Sequence, residues 1–192
     1  MRLPGPGSRR SDDGTAIARS LKAPEAFAEV FDRHFATVHR YLARRTTRDR
    51  ADDLAAQTFT VAFAHRERYR DDLGTARPWL LGIATNLLRA DYRAAQRELN
   101  AIDALAREGD PAAASAAPAP DHDLEAALAK LHPDQRDALL LHALAELSYA
   151  EIAAALSIPI GTVRSRISRA CAALRDELEP LAPVAGARRD HA

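Results

Sequence analysis

The chain has one cysteine, one tryptophan, one methionine and two lysines among its 192 residues, and aromatic side chains make up only 5% of it. A single thiol, Cys171, excludes a disulfide framework within the chain and any cysteine-based metal cluster. No apolar run approaches the roughly 18 residues that a membrane span requires. The leading residues, MRLPGPGSRRSDDG, carry charge without the apolar stretch of a secretory signal, so a cytoplasmic protein without membrane insertion is expected. The eight glycines form no phosphate-cradling loop, and no nucleophile motif is present. His34 and His39 miss one helical face. No enzymatic activity, cofactor or metal site is therefore expected. Runs of β-branched residues are also missing, which argues against sheet and for an all-α chain.

Net charge is zero, with 27 basic and 27 acidic residues, but the charge is segregated. From Asp121 to Ile160 acids outnumber bases, whereas Ile160 to Arg175 holds four arginines and no acid. Affinity for phosphate depends on where positive charge sits, not on the total.

That basic stretch closes the most informative segment, LSYAEIAAALSIPIGTVRSRISRACAAL, Leu147 to Leu174. Ser148 followed by Glu151 is a capping box, which starts a helix at Tyr149. Ile152 and Leu156 give it an apolar edge, and Pro159 breaks it. A second helix begins near Ile160 with Val163, Ile167, Ala170, Cys171 and Leu174 on one stripe, a position that buries Cys171 as a small hydrophobe. Thr162, Ser165 and Arg169 centre the opposite face, flanked by Arg164 and Arg166. Short hydroxyls between forked guanidiniums suit a DNA major groove, where arginine reaches a guanine edge or a phosphate. The competing reading is a solvated basic face on an ordinary helical hairpin.

The first 22 residues are rich in Gly, Pro, Ser and charge and are expected to be flexible. Pro24 then opens a helix on which Phe27, Val30, Phe31, Phe35, Val38 and Leu42 recur at helical spacing. Another helix is predicted from Asp52 to about His65, with Leu54, Thr58, Phe59, Val61, Ala62 and Phe63 covering a broad apolar arc and a polar ridge of Asp53, Gln57, Thr60 and Ala64. After a polar loop, Arg66 to Ala76, Pro78 starts a third helix. Its apolar stripe carries Trp79, Leu80, Ile83, Ala84, Leu87 and Leu88, which assigns Trp79 to the core. Its outer side carries Asn86, Arg89, Arg93, Gln96 and Arg97, with Tyr92 nearby. Such a ridge can track a phosphate backbone and bond exposed bases, or simply be solvated. The Ala/Pro-rich stretch Asp110 to Pro120 reads as a linker. These boundaries predict two small helical domains, 23–99 and 123–179, joined by a flexible linker over 100–122 and followed by a flexible tail, 180–192. The second is a four-helix helix-turn-helix domain.

Four segments together resemble the bacterial extracytoplasmic-function sigma factors, the small type with only regions 2 and 4. They are FAEVFDRHFATVHRYLARR, ADDLAAQTFTVAF, RPWLLGIATNLLRADYRAAQRE, and LHPDQRDALLLHALAELSYAEIAAALSIPIGTVRSRISRA. The resemblance implies a factor that binds core RNA polymerase through the clamp coiled coil and the flap, recognises the minus 35 element as duplex, and opens the minus 10 element as single strand. It nominates Asp52, Asp53, Gln57 and Phe59 for polymerase binding, with plain core as the other reading of Phe59. It nominates Asn86, Arg89, Arg93 and Arg97, with the loop before them, for the minus 10 element, and Thr162, Arg164, Ser165, Arg166 and Arg169 for the minus 35 element. An anti-sigma factor is an implied partner. Two positions depart from the family pattern. Ala56 and Gln57 stand where glutamine and glutamate are common, and Asp91 lies one residue beyond the acid that commonly follows the family asparagine. A helix-turn-helix regulator that binds duplex DNA without polymerase is the alternative.

Overall fold

The structure, a computed structural model, describes residues 11–107 and 122–178, and all regular structure among them is helical. Eight α-helices are described: α1 Asp12–Ser20, α2 Ala28–Ala43, α3 Arg48–Ala64, α4 Arg77–Arg107, α5 His122–Lys130, α6 Pro133–Ala143, α7 Tyr149–Leu156 and α8 Ile160–Leu178. Helices α2, α3 and α4 pack on one another, α6, α7 and α8 form the second group, and α4 meets α7 where the groups join. Leu80, Leu81 and Ala84 of α4 are fully buried in one core with Leu141, Leu147 and Ile152 of the second group.

Helix α1 corrects the expectation of a flexible N-terminus over its described part. Ser11 caps it, its hydroxyl accepting from the Gly14 amide at 2.9 Å, and Asp12 and Asp13 sit in the first turn where the helix dipole favours negative charge. Ala16 and Ile17 are buried. Residues 1–10 lie outside the described residues, as do 108–121 and 179–192, which hold most of the expected linker and the expected tail.

Two boundaries also differ. Helix α3 starts at Arg48, not Asp52, because Ala51 is fully buried and draws the preceding turn into the helix. Helix α4 continues to Arg107 through the first part of the expected linker. The sequence RELNAIDALAR has neither proline nor glycine, so strong helix formers extend α4 past its packed portion.

The capping box at Ser148 forms as predicted. The Ser148 amide donates to Glu151 Oε2 at 2.8 Å, and the Glu151 amide donates to Ser148 Oγ at 3.3 Å. Burial alone would raise the Glu151 pKa, but the Ser148 bonds and the Arg77 guanidinium outweigh it and hold it below its ordinary value. Ser148→Ala is expected to cost about 1 kcal/mol of stability, measured as a lower urea midpoint with an unchanged m-value.

Candidate nucleic-acid interface

The turn between α7 and α8 closes on a left-handed residue, Ser157, with φ 53°. The Ile158 amide donates to the Ala153 carbonyl at 3.0 Å, which satisfies the end of α7. Pro159 follows with no amide to continue α7, and its carbonyl accepts from the Thr162 amide at 2.9 Å to open α8. Val163, Ile167 and Ala170 are buried, which fixes the outward face of α8. Cys171 is exposed, against expectation: one step beyond Ala170, it falls past the edge of the packed stripe.

On the outward face, Arg164 and Arg169 are exposed and pair with no acid among the described residues. Thr162 and Ser165 are half-buried, and the Ser165 hydroxyl donates to the Thr162 carbonyl at 3.0 Å. Arg166 differs: its Nη2 donates to Asp134 Oδ2 at 2.7 Å.

The α4 ridge divides in the same way. Arg93 and Arg97 are exposed, Arg97 Nε donating to the Arg93 carbonyl at 3.1 Å. Asn86 is exposed and lines a groove of about 540 Å³ with Arg68, Tyr69, Thr75 and Trp79, partly covered by Ala155 and Ser157. Trp79 is half-buried: it packs on the core on one side and lines this groove on the other, its ring centroid 5.1 Å from that of Tyr69. Arg89 is turned inward, 2.9 Å from Asp134 and bonded to Asp137.

Of the residues nominated for polymerase, Asp52, Asp53 and Gln57 lie exposed on α3. His39 Nε2 lies 2.6 Å from Asp52 Oδ1. Phe59 is not on that surface. It is 5% exposed and packs edge-on against Phe31, centroids 4.8 Å apart, which corrects its assignment to core structure. The displaced acid Asp91 pairs with Arg50 of α3.

Three residues that the sequence reading passed over organise the junction between the two helix groups. Asp137 is 1% exposed and receives both Arg45 and Arg89. Arg45 also donates to the Tyr41 hydroxyl, which lies 2.9 Å from Thr85 Oγ1. Burial raises the Tyr41 pKa above its ordinary value and keeps the hydroxyl protonated. For Arg45, burial would lower the pKa, but Tyr41 and Asp137 reverse this. With Asp134, the series runs Tyr41, Arg45, Asp137, Arg89, Asp134, Arg166, from the core of one group to the arginine face of the other. Arg77 of α4 adds a pair with Glu151 at 3.4 Å. Beside these, a Cβ at Gly82 would lie 2.3 Å from the Ala155 carbonyl oxygen, so α4 and α7 meet backbone to backbone.

A second buried carboxylate, Asp13, is 4% exposed. Its Oδ2 accepts from the Ala76 amide at 2.7 Å and Thr75 Oγ at 3.2 Å and lies 2.7 Å from His34 Nε2, while Arg33 pairs with Oδ1. Burial would raise its pKa, but His34, the Ala76 amide and Arg33 together hold it well below the ordinary carboxylate value. The stability this adds is complete above the unfolded-state pKa of 3.8 and is lost as pH falls toward the lower folded-state value. The stability difference between the protein and Asp13→Asn should therefore shrink as pH falls below about 4, in urea titrations across the acid range.

Two family models match the chain: sigma-70 region 2 over residues 30–98 and sigma-70 region 4 over residues 121–174. An extracytoplasmic-function (ECF) RNA polymerase sigma factor, EcfG, from Rhodopseudomonas palustris is 37% identical over 141 residues, 72% of this chain and 75% of that protein. The RNA polymerase sigma factor CarQ of Myxococcus xanthus is 36% identical over 166 residues, 83% of this chain and 92% of that one. Among solved structures, CnrH in complex with the cytosolic domain of CnrY is similar, with a TM-score of 0.62 and 25% identity over 88% of this chain and 97% of that one. The sigma factor RpoE of Bartonella quintana in complex with the anti-sigma factor NepR gives 0.54 and 26% over 82% and 97%. Two arginine-bearing faces, one on α4 within region 2 and one on α8 within region 4, and relatives similar over most of their length make this chain a member of the extracytoplasmic-function RNA polymerase sigma factors, which direct promoter-specific transcription.

Proposed function

We propose that the two faces divide the promoter between them. Thr162, Arg164, Ser165, Arg166 and Arg169 on α8 read the minus 35 element as duplex. Asn86, Arg89, Arg93 and Arg97 on α4, with the loop over residues 66–76, hold the minus 10 element as single strand. Asp52, Asp53 and Gln57 on α3 meet basic side chains of the polymerase clamp coiled coil. The chain works in the cytoplasm, carries out no chemistry itself, and leaves catalysis to the polymerase. Residues 23–99 and 123–179 act as the two grips, with the linker setting their separation.

The observation that carries this reading is the exposure of Arg93, Arg97, Arg164 and Arg169, which pair with no acid among the described residues. Arg89 and Arg166, by contrast, share Asp134. In this reading, binding promoter DNA exchanges that carboxylate for phosphates or bases, and the two helix groups part so that both can be reached. No helix among the described residues is long and apolar enough to cross a membrane. An anti-sigma factor is a partner in this reading, supported by the similarity to RpoE in its complex with NepR.

Transcription in vitro with purified core polymerase on fragmented genomic DNA tests the assignment. Discrete start sites that disappear with Arg164→Ala/Arg169→Ala or with Asn86→Ala/Arg93→Ala support it. Start sites indifferent to both variants would remove these residues from promoter recognition.

A further inference from the structure

The first turn of α1 touches both ends of the loop that borders the Asn86 groove. At one end, the Ser11 amide and hydroxyl each donate to the Asp71 carboxylate at 2.7 Å, and the Tyr69 hydroxyl donates to the same group at 3.2 Å. At the other, Asp13 accepts from Thr75 and from the Ala76 amide, just before α4 begins at Arg77. Between them, Gly14 lies so close to the loop that a Cβ there would sit 2.2 Å from Asp71 Oδ2.

Each contact fixes a different coordinate of the loop. Asp13 is anchored from behind by His34 and Arg33 of α2, so the bond to Ala76 references the loop to the helical core. Asp71 is held by a cap residue whose own hydroxyl also accepts from Gly14. The segment so pinned supplies Arg68, Tyr69 and Thr75 to one wall of the groove, while α4 supplies Trp79 and Asn86 to the other. A pocket that receives an unstacked base must offset an unstacking cost of a few kcal/mol, and it does so best when its walls are fixed beforehand.

We propose that Ser11, Asp13 and Gly14 are positioning residues for promoter opening: they clamp the loop over residues 66–76 in the shape that accepts a flipped-out base of the minus 10 strand. This rests on the assignment of the Asn86 groove to single-stranded DNA. The DNA does not touch the clamp, whose effect passes through Asp71, Thr75 and Ala76.

The test uses holoenzyme reconstituted from core polymerase and the full chain. The probe is a fluorescent non-template oligonucleotide spanning the minus 10 element of a start site mapped with that holoenzyme. Asp13→Ala and Gly14→Ala should each weaken oligonucleotide binding about tenfold and slow promoter opening, followed by permanganate reactivity, while core affinity stays within twofold of the unsubstituted protein. Asp13→Asn keeps the oxygen that receives Ala76, Thr75 and His34 and turns its amide toward the half-exposed Arg33, so it should restore binding although it loses the charge. Asn86→Ala is the control for the groove. If Asn86→Ala weakens binding but Asp13→Ala and Gly14→Ala do not, the clamp is wrong and the groove assignment stands. If none of the three weakens it, the groove assignment fails and the clamp with it. If Asp13→Ala and Asp13→Asn lose core affinity and strand binding in parallel, Asp13 serves general stability and the proposal is overturned.

Discussion

Asp137→Ala should lower the stability of the folded chain by about 3–5 kcal/mol and separate the two helix groups. The carboxylate is 1% exposed and meets Arg45, whose side chain is 4% exposed, as well as Arg89. A buried ion pair adds little net stability, because desolvation offsets much of the attraction; removing one partner is costly, because the other charge stays behind without compensation. Here the Arg45 guanidinium would be left without a carboxylate, and Arg89 would keep only its pair with Asp134. They escape that cost most readily if α6 moves away and admits water, so the substitution should express itself as opening of the α4–α7 junction. Urea unfolding would show a lower first transition, and small-angle scattering a larger radius of gyration. Asp137→Asn, which retains an acceptor, should fall between. Gly82→Ala reaches the same opened form without touching a charge, since its methyl would meet the Ala155 carbonyl at 2.3 Å. Equal stability and size for Asp137→Ala and the unsubstituted chain would show that the carboxylate does not hold the junction.

The helices of both groups could be read from periodicity and caps because those signals are local. Ser148 with Glu151, the break at Pro159 and the stripe of Val163, Ile167 and Ala170 each reveal themselves within a few residues. Helix α1 did not, since its Gly, Asp and Ser content resembles that of a solvated tail; what orders it is Asp13, whose partners stand 20 to 63 residues away. The Ser11 cap and the Ala16, Ile17 and Ser20 spacing were the local signals available. The inward turn of Arg89 and Arg166 was equally out of reach. Periodicity tells which face of a helix a residue occupies, and both arginines do lie on polar faces. Whether such a face meets water or an acid from another helix depends on how α6 docks against α4 and α8. Phe59 was ambiguous for a related reason: the broad apolar arc of α3 has no sharp edge, and only the rings of Phe31 and Phe35 decide where the core ends.

Arg164→Ala and Arg169→Ala should each reduce transcription from a cognate promoter by about 5- to 150-fold, the roughly 1–3 kcal/mol that one bidentate base contact supplies. Both side chains are exposed, so neither substitution disturbs packing and the thermal midpoint should stay within about 2 °C. Arg166 behaves differently. Its guanidinium is engaged with Asp134, so any energy it gains on DNA is reduced by the bond it must give up. Arg166→Ala should accordingly cost less than either neighbour. Asp134→Asn, which weakens that bond and the pair with Arg89 together, should raise the affinity of the free chain for promoter duplex. Salt titrations separate the roles: a residue that contacts a phosphate lowers the slope of log affinity against log salt by about 0.9, whereas a base-reading residue leaves the slope unchanged and relaxes preference at one position of the minus 35 element. A change in slope for Arg169→Ala without loss of sequence preference would move Arg169 from the base edges to the backbone and leave Arg164 as the reader on this face.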